Sequence, residues 1–379
     1  EQFTRVVRED PVRRGLLYAG TERGVWVSFD DGARWQSLSL NLPDVQVPDL
    51  VVEERDLVIA THGRSMWLLE NIEPLRQIGP GVERAALHLY RPRPAVRRVY
   101  DAVFQYRLAA PADTVKVEVL DSAGAVIRTF VGARKDSTRR DSARTAPARA
   151  ASRVAGCDVR SQTPPTPPVA AGLNQFTWDG RYPGAATFEC MVIWSARPEN
   201  GPLAPPGRYQ VRVTAIDARS GTRETRTQPF TLRRDPRIRA TDADLAAQFA
   251  LARQVSVRTS AANEAVIRIR ALRDSIDARL AASGSGDGVR AAGDSLRRAL
   301  SAVEEELYQV RNRSGQDPLN FPIKLNNRLA ALQRSVETGD GRPTAGAYKV
   351  FRELSAELDR HLARLKEIEQ GVRARFGGM

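Results

Sequence analysis

The chain is poor in the residues that enzymes and metal sites most often draw on. It has three histidines (His62, His88, His361) and two cysteines (Cys157, Cys190) in 379 residues. Neither cysteine has metal-ligand spacing, and the histidines lie far from both in sequence, which argues against a zinc site. There is no His-Glu-x-x-His, no glycine-rich phosphate loop and no nucleophile elbow. Sequence alone therefore nominates no catalytic residue, no metal and no cofactor. No apolar run reaches about eighteen residues, so no membrane span is expected. The opening stretch "EQFTRVVRED" has no signal-peptide pattern and reads like the middle of a domain, so the chain is expected to be the later part of a longer precursor.

Lysine is scarce too. Only five of the 58 basic residues are lysine (Lys116, Lys135, Lys324, Lys349, Lys366), and the net charge is +13. Such a charge raises the question of an anionic partner. The arginines, however, are spread over the whole chain, and an arginine bias is also what a GC-rich genome gives. A solvated basic surface is the reading, with no nucleic-acid partner.

What is present divides into three segments. Residues 1–92 carry short runs rich in Val, Leu, Trp and Tyr, punctuated by Gly, Asp and Asn. That is the pattern of an antiparallel meander of about seven strands. Within it, "VSFDDGARW" sets Ser28, Asp30, Gly32 and Trp35 in one turn. Gly32 supplies the positive φ, Ser28 and Asp30 bond turn backbone, and Trp35 covers the turn. Residues 57–77, "LVIATHGRSMWLLENIEPLRQ", bring His62 and Arg64 close together, but with Gly63 between them they mark a turn between strands rather than a catalytic pair.

Residues 99–236 read as a sandwich after a linker, "YRPRPAVRR". Val115, Val117 and Val119 alternate, as do Tyr209, Val211 and Val213, and "FECMVIW" is expected as a further strand. An insertion at about 133–171 carries eight Arg or Lys against three Asp and ends in "TPPTPP", the composition of a partly disordered loop. A disulfide between Cys157 in this loop and Cys190 on the predicted strand would constrain the unfolded chain by about 3–4 kcal/mol. It requires an oxidising compartment, and the alternative is two thiols.

From 241 the period changes to 3.6. Thr241 is the expected N-cap, with Asp244 in the first turn. Apolar seams follow at Leu245, Phe249, Ala262, Val266, Ile269, Ile276 and Leu280; at Leu296, Leu300, Val303, Leu307 and Val310; at Leu325, Leu329, Leu332 and Val336; and from Phe351 to Phe376. Four amphipathic helices with short loops predict an antiparallel four-helix bundle over 241–379. The seams are also the expected place for self-association if they are partly exposed.

The turn at 28–35 resembles the Asp-box, Ser-x-Asp-x-Gly-x-Thr-Trp, of BNR-type repeats in sialidases and sortilin-type propellers, with Arg34 in place of Thr. "LVIATHGRSMWLLENIEPLRQ" resembles the final blade of exported bacterial sortilin-like or glycosyl-hydrolase-like repeat proteins. "LNQFTWDGR…PPGRYQVRVTA" resembles the Ig-like domain of flagellar hook-capping proteins. "DPLNFPIKLNNRLAAL" and "GDGRPTAGAYKVFRELSAELD" resemble the helical tail of the same repeat-protein group. The resemblance implies a multidomain β plus α chain: the last two blades of an incomplete β-propeller at 1–92, an Ig-like sandwich at 99–236, and a helical bundle. It implies export to the periplasm, cell surface or medium, and a non-catalytic interaction or assembly role, with upstream blades or a partner chain completing the propeller. Two other readings stay open: a glycoside hydrolase or glycan binder whose paired carboxylates lie mostly in missing blades, and a sortilin-like peptide receptor.

Overall fold

The computed structural model describes residues 2–134, 164–218, 220–282 and 287–376. It is a mixed β plus α protein, with several sheets followed by a helical C-terminal region. The first sheet is an antiparallel meander of β1 (Thr4–Glu9), β2 (Leu17–Thr21), β3 (Gly24–Ser28) and β4 (Gln36–Ser37). The second joins β5 (Asp49–Val52), β6 (Leu57–Ala60) and β7 (Met66–Leu69) in that order. These are the seven strands that the alternation predicts. One face of each sheet packs on the other: Val6, Tyr18, Val25 and Val27 meet Leu50, Leu57 and Ile59 in one buried cluster. Gly20 makes this packing feasible. A Cβ there would lie 2.6 Å from the Val47 carbonyl oxygen, so only glycine admits the segment that crosses between the sheets.

Two short helices, α1 (Glu73–Gln77) and α2 (Pro80–Arg84), lead into a pair of facing sheets. Their strands are β8 (Leu87–Leu89), β9 (Ala95–Val96), β10 (Ala102–Leu108), β11 (Thr114–Leu120), β12 (Val126–Ala133), β13 (Gly172–Trp178), β16 (Gly207–Ile216) and β17 (Arg223–Arg233), with β14 (Arg181–Pro183) and β15 (Asn200–Leu203) forming a separate two-stranded ribbon. The orders are β13-β10-β8 and β12-β11-β16-β17-β9. Val115, Val117, Val119, Tyr209, Val211 and Val213 all point into the shared core, as their alternation requires, and meet Phe104, Tyr106, Phe176 and Trp178.

Three features differ from the sequence reading. The stretch 90–98 is no free linker: β9 runs parallel to β17, and Tyr90, Ala95 and Arg97 are buried. The expected strand "FECMVIW" is not a strand. Its backbone turns at Cys190 (φ 60) and Ser195 (φ 55). Its apolar side chains Phe188, Met191 and Ile193 pack on the helices instead of a sheet, so 184–199 forms a strap across the helical region. Of the insertion, residues 135–163 and with them Cys157 lie outside the described residues. The end of it, 164–170, is packed: the Val169 carbonyl accepts from Ala112 N at 3.0 Å, and the Tyr106 hydroxyl donates to the Pro168 carbonyl.

The third difference is in the helices. Four are present: α3 (Asp242–Ala282), α4 (Asp287–Leu307), α5 (Leu325–Val336) and α6 (Ala345–Phe376). Ion pairs Arg270–Glu304 and Arg297–Asp277 set α4 antiparallel to the second half of α3. The bonds Asn326–Asn263 and Gln248–Val336 set α5 antiparallel to its first half. Arg258–Asp359 and Arg268–Glu369 set α6 parallel to α3. The 41-residue α3 is long enough to carry two shorter helices along one flank. Four helices thus occupy three rods, not an antiparallel square. Leu300, Leu307, Leu329, Leu358 and Leu365 are all buried inside this cluster, while Phe249, Leu280, Leu296, Val310, Phe351 and Leu362 stay partly exposed.

Candidate interaction surface

The turn at 28–35 closes on its own backbone. The Ser28 hydroxyl accepts from Gly32 N at 2.9 Å and donates to Asp30 Oδ1 at 3.0 Å. Asp30 in turn accepts from Arg34 N at 2.9 Å and from Arg34 Nε at 2.7 Å. Those bonds from Arg34 hold the Asp30 carboxyl below the usual range. Gly32 has φ +88, and the Trp35 ring lies 3.8 Å from where its Cβ would be. Ser28, Asp30, Gly32 and Trp35 are therefore brought together, and the hydroxyl and carboxylate oxygens are occupied by the turn itself.

A second polar centre, which the sequence reading did not single out, braces the two sheets. Asp10 is fully buried and accepts from Arg76 Nε at 3.0 Å on both oxygens. It also accepts from Val12 N, Arg13 N and the Tyr18 hydroxyl. Burial first, then the Asp10 charge, pushes the Tyr18 phenol well above its ordinary value. Arg76 and Arg13 reach on to main-chain carbonyls of Glu53, Glu54, Leu75 and Ile78. A buried charge fully bonded in this way fixes position rather than reactivity. A lone Asp after a strand and an Arg in a five-residue helix carry no local signal that they will meet.

The face of the second sheet that points away from the shared core is apolar and open, and the first sheet exposes one apolar side chain, Val7, on its own outer face. On the second sheet, register puts Val51 opposite Val58 and Val58 opposite Leu68, with Met66 on the same side. Val51 is 47%, Leu68 52% and Met66 71% exposed. On the first sheet, Val7 is aligned with Ala19 and Trp26, and Val7 is 46% exposed. β7 has a strand on one side only, so its outer edge offers unpaired backbone groups among the described residues. The signal for this was in the sequence. "LVIA" and "MWLL" are continuous apolar runs, and such strands want both faces covered.

His62 and Arg64 sit exposed on the β6–β7 turn. His62 N donates to Gln46 O at 2.9 Å, and Arg64 O accepts from the Trp67 indole at 2.9 Å. This is a turn, as expected. Cys190 lies on the strap, where its carbonyl accepts from the Tyr308 hydroxyl at 3.3 Å. Its expected partner is outside the described residues. Among the described residues, no group of three or more His, Cys, Asp or Glu is placed to hold a metal ion, and no helix is long and apolar enough to cross a membrane.

No protein-family model matches the chain, and no curated protein matches it. Among solved structures, the chain is similar to CopC from Methylosinus trichosporium OB3b at 10% identity, over 40% of this chain and 98% of that one, with a TM-score of 0.20. It is also similar to PorZ, an essential bacterial surface component of the type-IX secretion system of Porphyromonas gingivalis, at 12% identity, over 60% of this chain and 30% of that one, with a TM-score of 0.18. At such scores neither likeness carries an argument about fold or function.

Proposed function

We propose that this chain is a non-catalytic interaction and assembly protein. In this reading the β1–β7 unit forms the last two blades of a propeller, the β8–β17 unit is an Ig-like module that presents it, and the helices form a rigid base. The observation that carries the reading is the open apolar outer face of the second sheet, with Val7 exposed on the first. Two sheets that already pack on each other still hold out Val7 on one side and Val51, Met66 and Leu68 on the other. Further blades, from upstream in the same polypeptide, are the occupant that fits both sides, because blades stack face to face around a ring. The self-closed turn at Ser28 and Asp30 supports an Asp-box used as a structural staple. The absence of a catalytic or metal motif in the sequence agrees with a binding role. Export belongs to the same proposal, and so does a Cys157–Cys190 bridge, for which mass spectrometry of non-reduced peptides is the check.

The test of the reading is association. Propeller blades of this repeat type are expressed as a separate chain and mixed with this one. They are expected to bind, and Met66→Lys with Leu68→Lys is expected to weaken that binding while leaving thermal unfolding of this chain unchanged. A chain that binds no such blades, and binds no apolar dye at these faces, would overturn it.

A further inference from the structure

The arginine- and proline-rich stretch 90–98 walls a cleft of about 620 Å³ between the β1–β7 unit and the facing sheets β8–β17. Its walls include Val12, Pro92, Pro94 and Pro229, with Phe230 at the base. Prolines have no N–H, so the cationic donors this cleft offers are its arginine side chains. Arg76 is committed to Asp10. Arg91, Arg93 and Arg208 are not committed in that way.

Arg93 is the informative one. Its side chain is only 12% exposed, and its one ion pair is a 3.4 Å contact from Nη2 to Glu54, a carboxylate that is itself 87% exposed. Its Nη1 is buried with no hydrogen-bond partner. A buried donor left unmade costs free energy; this nitrogen is sealed from solvent, and the one that a ligand replacing Glu54 would meet is Nη2. Burial, with Arg55 and Arg76 nearby, already pulls its pKa down, and an incoming anion would relieve that.

We propose that this cleft binds a carboxylate carried by an extended polypeptide segment of a partner protein. The guanidinium fork matches a carboxylate in plane and spacing. A doubly charged phosphate fits less well, because Glu54 and Glu73 also line the cleft. A small free acid would leave the proline walls wet, whereas a peptide flanking the carboxylate covers them, and the volume suits a few residues. Arg93 takes the carboxylate by displacing the exposed Glu54, and Arg208, which also lines the cleft, adds a second charge. This inference extends the interaction reading but shares no residue with the open sheet faces, so lysines at Met66 and Leu68 leave it untouched.

The experiment uses the full chain and fluorescence anisotropy with dye-labelled nonapeptides of Ala and Pro. One carries a central Glu and an amidated C-terminus, one a central Gln and a free C-terminus, and one a central Gln and an amidated C-terminus. The first or second is expected to bind, and which of them binds tells a side-chain carboxylate from a terminal one. The third is expected not to bind. Arg93→Gln and Arg208→Gln are each expected to weaken binding about tenfold, the worth of one charge-assisted contact. If Arg93→Gln fails to fold, Arg208→Gln, on an exposed side chain, gives the same readout. Equal binding of all three peptides, no binding of any, wild-type affinity in a folded Arg208→Gln, or stronger competition from inorganic phosphate than from acetate would overturn the proposal.

Discussion

Arg97 and Asp340 form a buried ion pair that locks the facing sheets onto the helices. The guanidinium also donates to the Ala204 carbonyl at 3.1 Å and to Gln248 Oε1 at 2.8 Å, and Gln248 in turn donates to the Val336 and Gly339 carbonyls. Arg98 joins from beside it, with Nε 2.8 Å from Asp340. Burial, then the Arg98 charge, pulls Arg97 down to about 10, which keeps it charged at neutral pH. Asp340→Asn strands two guanidiniums and is expected to cost about 3–5 kcal/mol. Replacing Arg97 by Met in the same chain is expected to recover part of that loss. Urea unfolding of the single and double variants measures both. A single variant within experimental error of wild type would show that the pair does not hold the junction.

The turn at 28–35 makes a separate prediction. Ser28 is buried, and Ser28→Ala leaves the Gly32 N–H without its acceptor, at an expected cost of about 1–3 kcal/mol. Gly32→Ala places a Cβ at φ +88, at an expected cost of about 1–2 kcal/mol. Arg34→Ala removes only an exposed pair and is expected to leave the melting temperature in place. If Arg34→Ala were as damaging as Ser28→Ala, the turn would depend on the surface ion pair rather than on the hydroxyl.

These two sites differ in how far they could be read from sequence. Ser28, Asp30, Gly32 and Trp35 are close in the chain, so turn chemistry alone brings them together. The alternation of Val115 to Val119 and of Tyr209 to Val213, and the helical seams from Leu245 onward, are likewise local periodicities, and the structure keeps them. Arg97–Asp340 and Asp10–Arg76 are pairings across different elements, and no local pattern encodes them. "FECMVIW" misled because a short apolar run fits a strand and a docked strap equally well. Only the helices beneath it decide. The three-rod arrangement was hidden for a related reason. Seams report which side of a helix is buried, not which neighbour buries it.

The start of α3 should show in acid. Thr241 N donates to Asp244 Oδ2 at 3.0 Å, and Asp244 N donates back to the Thr241 hydroxyl at 3.1 Å, a reciprocal cap. Arg342 Nε adds a bond at 2.8 Å. The backbone bond from Thr241 first, then Arg342, lowers the Asp244 carboxyl from 3.8 to about 2. A carboxyl depressed in the folded state stabilises it above the unfolded pKa and loses that contribution as pH falls through the folded one. The stability supplied by Asp244 is thus complete above about pH 4 and is lost on the way down to about pH 2. Asp244→Asn is expected to be less stable than wild type at pH 6 and to converge on it only as pH falls to about 2 and below. Helical ellipticity on heating, across that range, follows the difference. Parallel pH curves for the two proteins would remove Asp244 as the titrating group.

Side chains of the helical region hold the strap 184–199 at several points: Ser260 and Asn263 at Ala186, Arg334 at Ser195, and Tyr308 and Asn327 between them. The Tyr308 hydroxyl accepts from Val192 N at 3.1 Å and donates to the Cys190 carbonyl. Asn327 bonds both main-chain groups of Trp194, accepting from its N at 2.7 Å and donating to its carbonyl at 3.1 Å. Phe188 stacks edge-on against the Tyr308 ring at 4.9 Å, so the apolar anchor and the polar one share a residue. Tyr308→Phe keeps the ring and removes the hydroxyl. It is expected to cost about 1–3 kcal/mol, because Val192 N is left buried and unpaired. Asn327→Leu is expected to free the Trp194 main chain while sparing the helices. Hydrogen exchange should then rise at residues 190–195 in both variants and stay low in α3 and α6, since local opening need not spread to elements with their own packing. Exchange rising equally throughout the helices would mean that the strap is part of their cooperative core and not a separately docked element.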